Sequence, residues 1–354
     1  MTASTGLTGL TKHRLFWPVV ALLALLVGDL IASPAFFSIE LRDGHLYGNL
    51  VDILKNGAPL ILIAIGMTLV IATRGIDLSV GAVVAISGSL ACLWVSDNPD
   101  GIGTTLVAFG LALGLSLLLG VWNGWLVAVL GIQPIIATLI LMVAGRGIAQ
   151  LISGGQIITV NSHSFEWIGS GFLFTLPGAI LIALAVFVLA SLLVRRSALG
   201  LLVEAVGGNP EASRLAGLRS ARLTWLVYVF CALCAGIAGL MISANVHSAD
   251  ANHAGLFIEL DAILAVVVGG TQLTGGRFSV GGAVIGALLI QTLTTTVYAL
   301  GIPPEAIMLF KAVVVLAVCL LQSPAFRRKL RRRRTPRPGQ PAPAPAPEKI
   351  EVTA

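Results

Sequence analysis

Runs of about twenty apolar residues, parted by short polar stretches, fill most of this chain, and that is the length an α-helix needs to cross the hydrocarbon core of a bilayer. Ten candidate spans can be drawn, at residues 15 to 33, 53 to 73, 78 to 95, 103 to 121, 124 to 151, 173 to 194, 224 to 245, 259 to 270, 280 to 300 and 304 to 322. The pattern predicts an all-α polytopic membrane protein, because only helices and closed barrels satisfy their backbone inside lipid. Charged residues make up 11% of the 354, where a soluble domain has roughly a quarter, so ordinary soluble folds are excluded. The first run carries Asp29, is longer than the apolar core of a secretory leader and leads straight into Pro34; it is read as a retained span. The eighth is too short to cross alone, and Gly269, Gly270, Gly275 and Gly276 follow it, which predicts a broken or re-entrant element.

Basic residues near span ends set the orientation. Lys12 and Arg14, Arg195 and Arg196, Arg214, Arg219 and Arg222, Arg277 and a final cluster all fall on one side of a ten-span layout, which makes that side, and both termini, cytoplasmic. The net charge of +6 resolves into +7 for residues 327 to 354, with nine Lys/Arg and two acids, and −1 for the rest. A basic cluster directly behind an apolar span points to anionic lipid and not to nucleic acid, which needs a basic face with reading elements. Three regions follow: a cytoplasmic tail at 1–14, a transmembrane domain at 15–323 with a cytoplasmic loop at 195–223, and a basic, Pro/Ala-rich disordered tail at 324–354.

The chain also repeats itself. Ser79-Val80-Gly81-Ala82 opens the third span and Ser279-Val280-Gly281-Gly282 the ninth, 279 − 79 = 200 residues later. Both stand at a cytoplasmic-side helix start, where serine can cap free N–H groups and glycine lets helices approach closely. The shared position predicts two related halves, a plan that places a transport pathway between them.

Catalytic signatures are missing from the sequence. It contains no G-x-x-x-x-G-K-[ST] phosphate loop, no H-E-x-x-H and no G-x-S-x-G elbow, so no catalytic or metal residue is assigned. His247, Asp250 and His253 in HSADANH suit no standard zinc spacing and are read as an exposed loop. The four cysteines all lie in apolar runs; no disulfide framework follows, and Cys231 and Cys234 are read as small packing residues.

Ionisable residues in or beside spans mark pathways by default. Here they are Asp77, Arg146, Asp261 and Lys311. Asp77 and Asp261 stand where helix dipoles stabilise a carboxylate, so capping competes with a transport role. Arg146 is placed to snorkel, whereas Lys311 lies deep enough to need a carboxylate partner or water. Acids do not form a chain across the bilayer, which argues against proton coupling and for a neutral solute driven by another energy source. Asn123, Gln133, Gln150, Gln291 and Thr292, with Trp122 and Trp125, offer the hydrogen bonds and flat apolar faces that suit a sugar, or they glue helices together. The pairs Gly110/Gly114, Gly120/Gly124 and Gly282/Gly286 are read as packing sites.

In the long polar stretch from Arg195 to Leu223, the segment EAVGGNPEASRLAGL (204 to 218) predicts a short helix broken near Gly207-Gly208, with Asn209 as N-cap, Pro210 at the first helical position and Gly217 as the stop. Read from its residues alone, it is either a docking element or a solvated connector.

Several strings resemble one family: RGIDLSVGAVVAISG (74 to 88), NGWLVAVLGIQPIIATLILMVAGRGIAQLISGGQ (123 to 156), EAVGGNPEASRLAGL (204 to 218) and IELDAILAVVVGGTQLTGGRFSVGGAVIGALL (258 to 289). Together they are similar to the membrane permeases of bacterial ATP-binding-cassette importers for monosaccharides of the ribose/xylose/arabinose type. The likeness spans residues 15 to 322 and is strongest to galactofuranose importers of the family. It implies a ten-helix, multi-pass permease of the inner membrane that is not itself an enzyme. Its partners would be a second permease subunit, a periplasmic sugar-binding protein and a cytoplasmic subunit that binds ATP and Mg; this chain would hold no cofactor. The segment with Glu204, Ala205, Gly207, Asn209, Ala212 and Gly217 matches the coupling element that docks on the ATPase. The resemblance makes Asp77, Ser79 and Gly81 in one half, and Asp261, Gly269, Gly270 and Ser279 in the other, candidates for gating. Asn123 and Gln133 are candidates for sugar contact. Arg74 and Arg277-Phe278 depart from the small residues usual at their positions. The rival readings are a self-sufficient secondary transporter or channel for a neutral solute, or the same architecture carrying another sugar or a branched-chain amino acid.

Overall fold

A computed structural model describes residues 15 to 322 apart from 33, 43, 174 and 304; the expected tails, 1–14 and 324–354, lie outside the described residues. Among the described residues, thirteen α-helices follow one another: α1 (Phe16–Ala32), α2 (Asn49–Ala72), α3 (Val80–Asp97), α4 (Ile102–Ala128), α5 (Pro134–Ser153), the single turn α6 (His163–Glu166), α7 (Gly178–Arg196), α8 (Leu199–Gly208), α9 (Pro210–Leu215), α10 (Ser220–Val246), α11 (Ile258–Val268), α12 (Val280–Ala299) and α13 (Ala306–Gln322). Three antiparallel strand pairs decorate the loops: β1 (Glu40–Arg42) with β2 (His45–Tyr47), β3 (Ile158–Thr159) with β6 (Ser248–Ala249), and β4 (Phe172–Leu173) with β5 (Leu176–Pro177).

Among the described residues, seven helices are long and apolar enough to cross a membrane: α2, α3, α4, α5, α7, α10 and α12. Helices α1 and α13 have 17 residues each and α11 has 11. At 1.5 Å per residue the last spans only about 16 Å, roughly half a hydrocarbon core, as the short eighth run predicts. The protein is an all-α, multi-pass membrane protein.

Two boundaries differ from the sequence reading. The fourth and fifth runs were divided at residues 121 to 124, but α4 continues through Asn123 and Trp125 to Ala128. The chain breaks where its backbone chemistry demands it: Gly131 takes a left-handed φ of 70° and Pro134 starts α5, the first helical position where a missing N–H costs nothing. The sixth span is drawn from residue 173, but Leu173 pairs with Leu176 and Phe172 with Pro177 in the β4–β5 strands, and the helix starts at Gly178.

Helices α2, α3 and α10 form the interior, while α4, α5 and α7 turn most of their surface outward. Lipid offers no hydrophobic drive for helix association, so close packing must come from small residues. An added side-chain carbon at Gly124 would lie 2.9 Å from the Trp225 carbonyl oxygen, and one at Gly286 only 2.0 Å from that of Ala265. Those two expected glycine pairs do pack, α4 on α10 and α12 on α11. Gly110 and Gly114 face open space instead, so that pair does not pack against another helix among the described residues. Cys231 and Cys234 are buried and unpaired, with the Cys231 backbone pressed against Gly66. Asp29 is buried in α1 and accepts a hydrogen bond of 3.0 Å from the Thr296 hydroxyl of α12.

Candidate functional site

The loop between α2 and α3 carries a buried polar chain. Asp77 is 1% exposed and accepts hydrogen bonds from the Ser79 backbone N–H at 3.0 Å and the Ser79 hydroxyl at 2.6 Å. The Ser79 oxygen in turn accepts from the Asn123 amide of α4 at 2.8 Å. The buried carboxylate of Asp77 thus accepts two hydrogen bonds, which is what the burial of so polar a group requires. Two acceptor sites and one hydroxyl around the start of α3 have no hydrogen-bond partner among the described residues: Asn123 Oδ1, Glu259 Oε2 and the Tyr228 hydroxyl. The Glu259 carboxylate lies against Gly81, where an added carbon would be 2.4 Å away. Asp77, Ser79, Gly81 and Asn123 are thus one cluster, and Glu259, which sequence reading passed over in favour of Asp261, joins it.

The two repeated serines do different work. Ser279 is a true N-cap, its oxygen accepting from the Gly282 N–H at 3.1 Å. Ser79 makes no cap bond, because its hydroxyl is taken by Asp77. The expected symmetric capping therefore holds in the second half only. There Gly269 and Gly282 cross so closely that a carbon added at Gly282 would meet the Gly269 carbonyl oxygen at 2.1 Å, and Gly270 turns the chain with a φ of 89°. Asp261 does not reach this crossing. It pairs with Lys311 Nζ at 2.6 Å, joining α11 to α13.

At one end of the bundle, α8 and α9 fold as the sequence predicts. Asn209 caps α9 by accepting from the Ala212 N–H at 3.0 Å, Pro210 is first in the helix, and Gly217 ends it with a φ of 83°. The break falls at Asn209, one residue beyond the glycine pair. The end of α8 is clasped between the end of α2 and the loop before α12. Gly207 is so tightly held that an added carbon would lie 1.7 Å from the Ala72 carbonyl oxygen and 2.6 Å from the Gly276 nitrogen, and Gly276 N–H donates to that same oxygen at 2.9 Å. Arg74 donates from Nε to the Gly207 carbonyl at 2.6 Å and from its guanidinium to the Gly208 carbonyl. Beyond this clasp α9 turns most of its surface outward: Asn209 and Ala212 are exposed and Leu215 is 79% exposed, while Ser213 is buried. Glu204 and Ala205 are half-buried. Glu204 lines a cleft of about 330 Å³ with Arg195, Phe278 and Ser279.

A family profile described as branched-chain amino acid transport system, permease component, matches residues 49–319. The chain belongs to this family of permeases. It is 51% identical over 321 residues to the galactofuranose transporter permease protein YtfT of Escherichia coli K12, covering 89% of this chain and 93% of that one. The fructose import permease protein FruF of Bifidobacterium longum is 40% identical, covering 89% of each chain. The ribose import permease protein RbsC of Escherichia coli K12 is 37% identical, covering 86% of this chain and 92% of its own length. No solved structure matches. The resemblance to permeases of bacterial ATP-binding-cassette sugar importers is thereby borne out, and with it a multi-pass place in the inner membrane. A permease component is the membrane path and not the ATP-hydrolysing part.

Other polar residues of this permease face outward or hold neighbouring segments together. Gln133, expected inside a span, is exposed at the break before α5. Trp122 and Trp125 are 50% and 41% exposed on the outward face of α4, an arrangement that suits the lipid interface better than a sugar path. Arg146 does not snorkel; it donates to the Ala251 and Ala254 carbonyls at 3.2 and 2.6 Å. With Gln150, which donates to Asn252 at 2.7 Å, it holds the non-helical stretch before α11 against α5. His253 and Asp250 pair at 2.7 Å while His247 faces Glu166, so HSADANH does not converge. The Asp250 carboxyl sits below its usual range: partial burial raises it, but hydrogen bonds from the His253 ring and the Asn252 and His253 N–H groups more than offset that.

Proposed function

We propose that this permease carries galactofuranose inward across the bacterial inner membrane by alternating access, driven by ATP and Mg bound to a separate cytoplasmic subunit. The full likeness to a galactofuranose permease supports that cargo. In this reading ten helices in two related halves cross the membrane, with α1, α11 and α13 added to the seven long ones, and both termini lie in the cytoplasm. A second permease subunit completes the path, and a periplasmic sugar-binding protein delivers the solute. The observation that carries the coupling mechanism is the clasp: one helix end, Gly207, touches Ala72 of the first half and Gly276 of the second, so force applied to α9 reaches both loops at once.

The exposed helix α9, with Glu204, Ala205, Asn209, Ala212 and Gly217 around it, docks on the ATPase. Asp77, Ser79 and Gly81 gate one half, and Gly269, Gly270 and Ser279 gate the other, with Asp261 locking α11 to α13. Asn123 Oδ1 and Glu259 Oε2, which have no hydrogen-bond partner among the described residues, supply acceptors for sugar hydroxyl groups, which donate readily. Gln133, exposed at the break before α5, is a further candidate for sugar contact.

Reconstitution with the ATPase and the binding protein in liposomes tests the reading. Uptake of labelled galactofuranose is expected to need all three proteins and to vanish in Glu204→Arg, which puts a second cation beside Arg195. Uptake by this chain alone without ATP would overturn the reading and leave a channel or secondary transporter. A second expectation concerns Asn209→Ala, which removes the cap of α9 at a cost of about 1 kcal/mol. Affinity for the ATPase, measured by titration in detergent, should fall about fivefold, and Asn209→Asp should retain it.

A further inference from the structure

We propose that Arg74 is the strap that carries movement of the coupling element to the gate at the start of α3. The inference rests on the reading of α8 and α9 as the ATPase-docking element. Three non-glycine residues among those described have left-handed backbone, and Arg74 is one, at a φ of 65°. Such a position favours glycine, because a Cβ crowds the neighbouring carbonyl. An arginine persists there only if its side chain returns something, and the return is visible in its two hydrogen bonds to the last carbonyls of α8, those of Gly207 and Gly208.

Those carbonyls end a helix, where the backbone carries partial negative charge and has no intrahelical donor left. A guanidinium is the one side chain that can fork onto two neighbouring acceptors with a fixed charge. Its stem is also confined, since the Arg74 Cγ lies 2.4 Å from where a carbon on Gly275 would stand. Arg74 is therefore wedged between the second-half loop and the coupling helix.

On its other side Arg74 is three residues from Asp77. The intervening loop is braced by Gly75 N–H donating to Val70 at 2.9 Å and by the Asp77–Ser79–Asn123 chain. A displacement of the α8 end thus moves a short, hydrogen-bonded loop that ends on the buried cluster. Arg74 touches no solute; it is a positioning residue.

The test uses the complete importer reconstituted with its ATPase and binding protein, comparing wild type with Arg74→Gly, Arg74→Lys and Glu204→Arg. Arg74→Gly accepts the left-handed backbone without strain, so the complex should assemble and elute as wild type, with unchanged ATP hydrolysis in the absence of binding protein. Sugar transported per ATP hydrolysed should drop about tenfold, within the usual range of coupling between sites. Arg74→Lys, which keeps the charge and can reach one carbonyl, should retain at least about half of the wild-type ratio. A wild-type ratio in Arg74→Gly, with Glu204→Arg still uncoupled, would overturn the strap alone. A Glu204→Arg importer that assembles and transports normally would overturn the docking reading and the strap with it.

Discussion

Replacing Lys311 with methionine is expected to remove most of the folded permease from the membrane, and adding Asp261→Asn to the same chain is expected to bring it back. The two side chains meet at 2.6 Å and are only 18% and 23% exposed. Each neutralises a charge that would otherwise face protein and lipid. Removing one partner leaves the other buried and unpaired, at a cost of about 3–5 kcal/mol. A membrane domain with a net stability in the common range of about 5–15 kcal/mol loses a large part of it. The double variant carries no charge at the site; replacing both members of a buried pair is often neutral or stabilising. Asp261→Asn alone should fail like Lys311→Met, since the ammonium is then the orphan. The monodisperse fraction after mild detergent extraction, read by size-exclusion chromatography, measures all three. Wild-type yield from Lys311→Met alone would show that the pair is not structural, and a double variant no better than either single would show that the charges are not coupled.

That pair also shows what the sequence could and could not disclose. Lys311 lies deep enough in an apolar run to need a carboxylate or water, but several acids stand in or beside other spans, and nothing local selects Asp261 fifty residues away. Local signals fared best where the chemistry is local. Asn209, Pro210 and Gly217 state the start and stop of α9 in their own side chains and backbone freedom, and the short α11 follows from counting apolar residues. The α4–α5 boundary differs because Asn123, with Trp122 and Trp125 beside it, looks like a span end. Inside the protein Asn123 is absorbed by Ser79, the two indoles face outward, and Gly131 and Pro134 make the actual break.

The equivalence of the two serine repeats fails for a similar reason. Ser79 and Ser279 sit in matching four-residue strings, but only Ser79 has Asp77 two residues before it to capture its hydroxyl; the corresponding position before Ser279 is Arg277. The clasp at Gly207 was the least legible feature. It is built from the Ala72 carbonyl, the Gly276 N–H and the Gly207 main chain, groups that every residue type shares, so no side-chain pattern announces it. Its one visible trace is Arg74, which stood out as a departure without its partner being readable.

The glycine pair of α8 should respond to the same substitution in opposite ways. Gly207→Ala is expected to abolish uptake and to lower the folded yield, while Gly208→Ala stays within about twofold of wild type on both counts. An added carbon at Gly207 meets main-chain atoms on two sides, 1.7 Å from the Ala72 oxygen and 2.6 Å from the Gly276 nitrogen. No rotamer change relieves such a contact, so the helix end must withdraw from both loops. Overpacking of this kind costs about 1–3 kcal/mol where neighbours can yield and more where they cannot. Withdrawal also parts Arg74 from the Gly207 carbonyl, which removes the strap together with the clasp. At Gly208 an added carbon meets nothing within 4 Å, its carbonyl remains available to Arg74, and alanine is the better helix former by about 1 kcal/mol. Helix propensity and composition therefore predict the same outcome for both substitutions, and only the close approach at Gly207 separates them. Equal tolerance of the two alanines in the reconstituted uptake assay would mean that the end of α8 does not need its contact with both halves, and force from the coupling element would have to travel by another route.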